Sequence, residues 1–485
     1  NSYLDSMINT VEPMGQGNLR TNFADTGASD QIAPLARWDA VYAVTGDKRA
    51  RAASLANGSA GGSYSIHYRD ESTGYPVSIA TYPNVSENGS PTGLPSTSGG
   101  NPLSHDQAHG ASIGYLAYSI SGDYFYLEEI QFWANWNMVW TNPGTRQGSK
   151  GIFGVQNRGQ IWSLRTLAQA AYITPDSHPL KQYLSDRVDN NILDRQGKWS
   201  DPMTNVLGFI QDYDYPQVSP WQADWFSWVF GYMYELGFDK AKPMRDWLAR
   251  WPAGRMGVAS DEFCFQKAPT YRYDAGAGPT SNSYYSSFRQ MYEANYGSAS
   301  CNANGDMDGR PDEPDSYYAN MQPGLAISVD AGLATQEQWD RFTGTPTTPG
   351  YDNDPQWAIV PRGPGKASAP NIAISADPAE VAAGGQTTIT WSTTNADSCS
   401  ASDGWSGGKA TSGSETAGPI NQDTTFSLTC SGLGGSTTRS VTVRIGSGGG
   451  NPPPGGGGGG NSGGGGGLLF IPVALAIARR RRNPL

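Results

Sequence analysis

Two periodicities divide the chain. Up to about residue 365, apolar and aromatic residues recur at helical spacing, and a short phrase punctuates them: Tyr42-Ala43-Val44-Thr45-Gly46-Asp47, then Tyr118-Ser119-Ile120-Ser121-Gly122-Asp123. Looser versions stand at Tyr172-Ile173-Thr174-Pro175-Asp176 and Tyr234-Glu235-Leu236-Gly237-Phe238-Asp239. Each follows one helical stretch and precedes another. A Gly in the left-handed conformation ends a helix and an Asp caps the next, so the pattern predicts repeated helical hairpins of irregular spacing. Long inserts, such as 65–105, are expected as loops at one end. From 370 to 446 the pattern changes to short β-branched runs, among them Asn371 to Ser375, Thr387 to Trp391, Thr425 to Thr429 and Ser440 to Arg444, separated by Gly, Asn and Asp. That spacing predicts a small β-sandwich. Residues 447–467 are nearly all Gly with a Pro452-Pro453-Pro454 run, a linker unable to bury a core. The chain closes with an apolar run, Leu468 to Ala478, and the Arg479-Arg480-Arg481-Arg482 block.

The hairpin repeat looks like an (α/α) toroid, a ring of inner and outer helices, so the fold class expected is mainly α with a small all-β appendage. Carbohydrate-active enzymes use that ring often, although fold alone does not set function. The stretches Ser65 to Pro83 and Gln156 to Pro179 also resemble a bacterial family with no activity attached to it. Residues 370–446 resemble the bacterial Ig-like domains appended to secreted enzymes, where the expected role is a spacer rather than sugar binding. Cys399 and Cys430 lie on either side of that module's central turns, and an exported domain of this size is expected to pair them.

The tail resembles the GlyGly-CTERM sorting signal of Gram-negative bacteria: a Gly-rich stretch, a short hydrophobic helix and a basic end. The resemblance implies cleavage by a rhombosortase-type intramembrane protease, contact with the membrane before processing, and surface attachment or release. The Arg block should stay cytoplasmic, and the apolar run of 11 residues needs flanking Gly to approach the roughly 20 that span a bilayer. Residue 1 is Asn and no signal peptide precedes it, so the expectation is a removed leader or a fragment.

Composition narrows the function classes. Of 485 residues only 16% are charged, with 15 Trp and 25 Tyr supplying large core anchors, and 13 of the Trp lie before residue 365. The net charge is −11, and four of the positive charges sit in the terminal Arg block, so the body repels phosphate backbones and nucleic acid is not an expected partner. The Cys are widely separated with no CxxC pair, which argues against a Cys-based zinc site. No phosphate-binding loop, dinucleotide fingerprint or GxSxG elbow is present.

Candidate chemistry concentrates in the first 230 residues. Three of the four His, His67, His105 and His109, lie in or beside the 65–110 insert. In Ser65-Ile66-His67-Tyr68-Arg69-Asp70, an extended strand would put His67 and Arg69 on one face and Tyr68 and Asp70 on the other; the bland alternative is a loop held by Arg69 and Asp70. His105-Asp106-Gln107-Ala108-His109 is expected to start a helix through Tyr118, with His105 and His109 on one face. A metal would need a third ligand that the sequence does not offer, so the expected use is one His as proton acceptor and the other orienting substrate. In the helix from Gln156 to Tyr172, Ile161, Leu164, Ala168 and Ala171 form an apolar stripe, opposite Arg158, Trp162, Arg165 and Gln169. An Arg-Trp-Arg side suits an inner helix lining a sugar groove, with Arg forks for carboxylates or sulfates. Trp136 and Asn137 extend that groove. Asp212, Asp214 and Asp224 are the carboxylates a hydrolase would pair across its bond.

Residues 304 to 315 look like the calcium loop of EF-hand and dockerin type, with Asn304, Asp306, Asp308, Asp312 and Asp315 at ligand positions and Gly309 at the turn. The resemblance implies a structural Ca2+, although Asn stands first, Asp replaces the terminal Glu and two Pro intervene. Cys264 and Cys301 flank the preceding segment and could staple it. No organic cofactor is expected. The reading is an exported, surface-associated enzyme acting on an extracellular polysaccharide, a lyase before a glycoside hydrolase, with a non-catalytic glycan-binding protein as the third possibility. Toroidal lyases use His, Tyr, Arg and Asn. The resemblance therefore implies His105 or His109 as base, Tyr68 or Tyr115 as acid, Arg158 and Arg165 as carboxylate binders, and His67 and Arg69 as assistants.

Overall fold

The computed structural model describes residues 2–25, 29–87, 94, 103–154, 156–199, 205–211, 216–257, 262–277, 283–298, 300–301, 316–344, 349–362, 370–394, 396, 398–432 and 435–446. Two compact units divide the chain near residue 371. The first is helical: α1 (Ser2–Ser6), α2 (Arg37–Thr45), α3 (Lys48–Ala60), α4 (Tyr115–Ser121), α5 (Tyr124–Trp140), α6 (Asn157–Ile173), α7 (Leu180–Trp199), α8 (Pro220–Glu235), α9 (Lys242–Leu248), α10 (Arg250–Gly254), α11 (Phe288–Tyr296), α12 (Ser316–Asp330) and α13 (Gln336–Thr343). A two-stranded ribbon, β1 (Gln217–Val218) with β2 (Tyr273–Asp274), is antiparallel.

The Gly-Asp phrases mark helix junctions for the reason their chemistry suggests. Gly46 at φ 65 ends α2, and the Asp47 side chain accepts from the Arg49 backbone N–H to open α3. Gly122 at φ 69 ends α4, and Asp123 accepts from the Phe125 N–H to open α5. A left-handed residue costs Gly nothing and satisfies a terminal carbonyl, while the carboxylate satisfies an orphan N–H.

Within this unit α6, α8 and α12 run parallel. Near their N-terminal ends Arg158 lies over the Trp221 ring, and Trp221 meets Tyr317. Near their C-terminal ends the Gln169 amide donates to the Tyr232 hydroxyl at 3.3 Å, and Gly231 lies against Ile327. Helices α7 and α9 each follow their predecessor after a short turn and pack beside it. The apolar stripe of α6 is buried, and so are Trp162, Arg165 and Gln169 opposite it, so α6 is enclosed on nearly every side.

The second unit is all β. Strands β3 (Asn371–Asp377), β5 (Gly385–Thr394) and β8 (Ser412–Ile420) form one sheet. Strands β4 (Glu380–Val381), β6 (Ser398–Asp403), β7 (Gly407–Lys409), β9 (Thr424–Gly432) and β10 (Gly435–Ile445) form the other, in the order β4-β10-β9-β6-β7. Along β5, Thr387, Ile389 and Trp391 point inward while Thr388, Thr390 and Ser392 face solvent, the period-2 alternation of a half-buried strand. Trp391 from the first sheet meets Trp405, which meets Phe426 of the second, so the sheets pack face to face. Cys399 and Cys430 are both disulfide-bonded.

Candidate functional site

The segment before α4 departs from the sequence expectation. No helix runs from His105 to Tyr118: a single 3-10 turn covers Gln107–His109, Gly110 is extended, and Gly114 sits at φ 84 before α4 begins at Tyr115. A Cβ at Gly114 would come within 2.6 Å of the Tyr126 carbonyl oxygen, so the chain turns where only Gly fits and the helix cannot start earlier. His105 and His109 therefore do not share a helical face, and Asp106 makes no helix cap.

Asp106 does something else. The His109 Nδ1–H donates to Asp106 Oδ2 at 2.6 Å, and Arg158 Nη1 donates to His109 Nε2 at 3.0 Å. A guanidinium has only donors, so Nε2 must hold its lone pair toward Arg158 and the imidazole proton must sit on Nδ1. The result is a neutral His with a carboxylate on one side and a cation on the other. His109 is buried, while Asp106 and Arg158 are partly exposed. Gln31 pins this turn by donating to the His109 carbonyl at 2.9 Å, and Arg165 donates to the Gly110 carbonyl at 2.7 Å. Arg158 lies in the first turn of α6, with its guanidinium carbon 5.8 Å from the Trp221 ring centroid in the first turn of α8. Around Trp221 stand Tyr271 at 6.4 Å and Tyr317 at 6.4 Å, the last at the start of α12. Three helix N-termini thus meet at an imidazole, a guanidinium and an aromatic surface.

His67 and Arg69 form a second cluster. Both reach α5 from a loop turned by the Ile66-to-Tyr64 and Tyr68-to-Ile66 backbone bonds: His67 Nε2 lies 2.9 Å from Glu129 Oε1, and Arg69 donates two bonds to Glu128 at 2.7 and 2.9 Å. Both also contact the Phe132 ring. Arg69 is thus held by Glu128, while Asp70 closes its own turn through Ser72. Tyr68 points the other way to buried Glu87, and burial with that carboxylate raises its phenol well above the ordinary range. Glu87 also accepts from the Trp136 indole at 2.7 Å.

His105 packs 4.0 Å from the Trp136 ring centroid, beside Trp133 and Trp140. Burial pushes its imidazole down to about 4, so it is neutral near pH 7 and enclosed by aromatic rings. Trp162 is 1% exposed among Trp225, Trp228 and Trp357, and Arg165 is 0% exposed, its guanidinium donating to the Ala33 and Gly110 carbonyls. Both serve the interior. Trp136 and Asn137 are buried as well. Tyr115 pairs with Tyr232 near the C-terminal end of α6. That end is about 16 Å from Arg158, given 1.5 Å per residue between positions 158 and 169. Asp224 is an interior ion pair with Arg255, its carboxyl raised to about 7 chiefly by burial.

Asp212 and Asp214 lie outside the described residues, as do Asn304, Asp306, Asp308, Asp312 and Asp315, the linker, and the tail through Arg482. Among the described residues no group of three His, Cys, Asp or Glu could hold a metal, and no helix is long and apolar enough to cross a membrane. Cys264 and Cys301 are joined, and with Cys399 and Cys430 also bonded, the chain carries the disulfides of an oxidising, extracellular setting.

The sequence singled out His109 and Arg158, which the structure brings into contact, but not Asp106 as their partner, nor Trp221, Tyr271 and Tyr317 beside them. The Trp221-x-x-x-Trp225-x-x-Trp228 spacing was a readable signal of an aromatic helix face; the meeting of its first residue with Arg158 was not. Comparison with family models, curated proteins and solved structures finds no match to this chain.

Proposed function

We propose that the protein is an exported enzyme that cleaves an acidic extracellular polysaccharide by β-elimination at a uronate, on an (α/α) toroid in which α6, α8 and α12 are inner helices. The observation that carries the reading is the Asp106–His109–Arg158 chain. A cation in the first turn of a helix opposes the helix dipole, which favours anions there. An anionic ligand at this end reverses that unfavourable term. A uronate carboxylate engaging Arg158 would draw the guanidinium off Nε2 and free the lone pair. His109 would then take the proton α to the carboxylate, with Asp106 holding Nδ1–H and stabilising the imidazolium. The C–H electron pair becomes the C4–C5 double bond, the C4–O bond breaks, and the imidazolium returns the proton to the departing oxygen. The parallel run of α6, α8 and α12, with α7 and α9 returning beside them, supports the toroid. The disulfides and the GlyGly-CTERM-like tail support export to the surface of a Gram-negative cell and processing by a rhombosortase-type protease.

The test is a panel of uronate polymers read by ultraviolet absorbance of the conjugated product. His109→Ala should lower the rate by about two to four orders of magnitude, the usual cost of losing a general base. Arg158→Ala should abolish the preference for acidic over neutral glycans. No absorbing product from any uronate polymer overturns the lyase reading. Reducing ends formed without it would indicate a hydrolase, and saturable glycan binding without either product would indicate a binding protein.

A further inference from the structure

The aromatic residues beside Arg158 have a use that the proton chemistry leaves open. Tyr271 is 50% exposed, and Trp221 and Tyr317 are partly exposed. They come from three separate places in the chain: the start of α8, the loop before β2 and the start of α12. Tyr271 and Tyr317 lie 5.6 Å apart, and each is 6.4 Å from Trp221. The Trp221 and Tyr271 rings are inclined by only 23°, so they offer nearly parallel surfaces. Exposed aromatic rings drawn together from different elements are costly to leave in water, and they form an apolar patch, with Tyr317 inclined to the other two rings, bordered by a cation.

Behind the patch the polar accounting is incomplete. The Trp221 ring contacts Trp225 at 4.8 Å, and Trp225 contacts Trp162 at 4.8 Å. The indole Nε1–H of each of these three is buried without a hydrogen-bond acceptor in the protein. Trp162 and Trp225 are more than nine-tenths buried. Trp162 and Trp225 are interior rings that support the site from behind, whereas Trp221 is partly exposed, so its ring is the one of the three that reaches the patch. An exposed aromatic surface with a cation at its edge matches an acidic pyranose: a ring face of C–H groups and an anionic substituent.

We propose that Trp221, Tyr271 and Tyr317 form a stacking subsite for the sugar adjoining the one held at Arg158, so that the protein requires at least two linked residues of an acidic glycan. This rests on the polysaccharide reading above and adds a chain-length requirement to it. Stacking acts on sugar rings irrespective of charge, whereas Arg158 selects the anionic substituent, so the two contributions separate experimentally.

The experiment is titration calorimetry of the full chain with oligogalacturonates of one to six residues and with neutral cello-oligosaccharides of matching length, for the wild type and for Tyr271→Ala, Trp221→Phe and Trp221→Ala. Tyr271 is half exposed, so its truncation leaves the interior intact, and Trp221→Phe keeps a ring at the packed position; thermal melting of each variant checks folding. The wild type should gain affinity steeply between one and two or three residues. Tyr271→Ala and Trp221→Ala should each reduce oligosaccharide affinity by about tenfold, with Trp221→Phe between them and the wild type, while the monosaccharide affinity stays unchanged. Folded variants that retain the wild-type length dependence overturn the subsite. If they do so while His109→Ala still abolishes product formation, the lyase reading survives alone. If no oligosaccharide binds the wild type at all, both fall together.

Discussion

Asp39 is a carboxyl placed where a charge is hard to keep. It lies buried in α2, and burial raises it from the ordinary carboxyl range to about 7, partly opposed by the positive charge of Arg165. Arg165 is itself lowered to about 9 by burial. Because the folded value at Asp39 lies above the unfolded one, the folded chain binds a proton there that the unfolded chain has lost. This contribution to stability is complete below the ordinary carboxyl range and disappears as pH rises through about 7. Asp39→Asn should therefore flatten the decline of Tm between pH 5 and pH 8 relative to the wild type. Parallel melting curves for the two proteins across that range would show that Asp39 is already ionised when folded. The same rule of burial explains why Arg165 is occupied with main-chain carbonyls: a guanidinium with no access to water needs acceptors, and the turn carrying His109 supplies one of them.

At the scale of elements, the parallel pair α8 and α12 is held close by glycine at both ends of its contact. A Cβ on Gly324 of α12 would stand 2.7 Å from the Asp224 carbonyl oxygen of α8, and one on Gly231 of α8 would stand 2.5 Å from Ile327 of α12. These contacts fix the register that brings Trp221 to Tyr317. Gly324→Ala sets two effects against each other. Alanine improves helix propensity by about 1 kcal/mol, while overpacking against neighbours costs about 1–3 kcal/mol. The obstacle here is backbone, which cannot rotate aside, so the second effect wins. The variant should melt lower than the wild type, with Trp221 and Tyr317 drawn apart. A melting temperature at or above the wild type would mean the helices part without cost.

At the scale of the molecule, the helical unit is closed by the covalent staple that the placing of Cys264 and Cys301 suggested. Cys264 and Cys301 have Cα atoms 5.3 Å apart and are separated by 37 positions. Closing a loop of that length stabilises the folded state by about 4 kcal/mol in the chain-entropy account, worth roughly 10 °C in a large domain. The double variant Cys264→Ala/Cys301→Ala should lose about that much in the helical transition, with the β transition unmoved. Loss of the β transition instead would mean that the two units do not unfold independently.

The sequence by itself determined the change from helix to strand near residue 370, because a period of 3.6 and a period of 2 are local properties of the side-chain order. It determined the junctions at Gly46-Asp47 and Gly122-Asp123, where a left-handed Gly and a capping carboxylate act within a few residues. It offered a shared side for His67 and Arg69 as one of two readings of their segment, and it singled out His109 and Arg158 as candidates for chemistry. Only the tertiary structure decided which polar residues are enclosed by packing and which stand at a partly exposed edge. Arg158 and Arg165 stand on the same α6 pattern, one helical turn from each side of Trp162. One end of that helix meets α8, α12 and the His109 turn at the partly exposed edge, while its middle is enclosed by Trp225, Trp228 and Trp357. Burial is a property of what packs against a residue from distant parts of the chain, and a single helix's periodicity carries no record of it. The pairing of Asp106 with His109 was hidden for a related reason: Gly114, at φ 84, breaks the helix that local spacing suggested, and the Tyr126 carbonyl of α5 leaves no room for a side chain there.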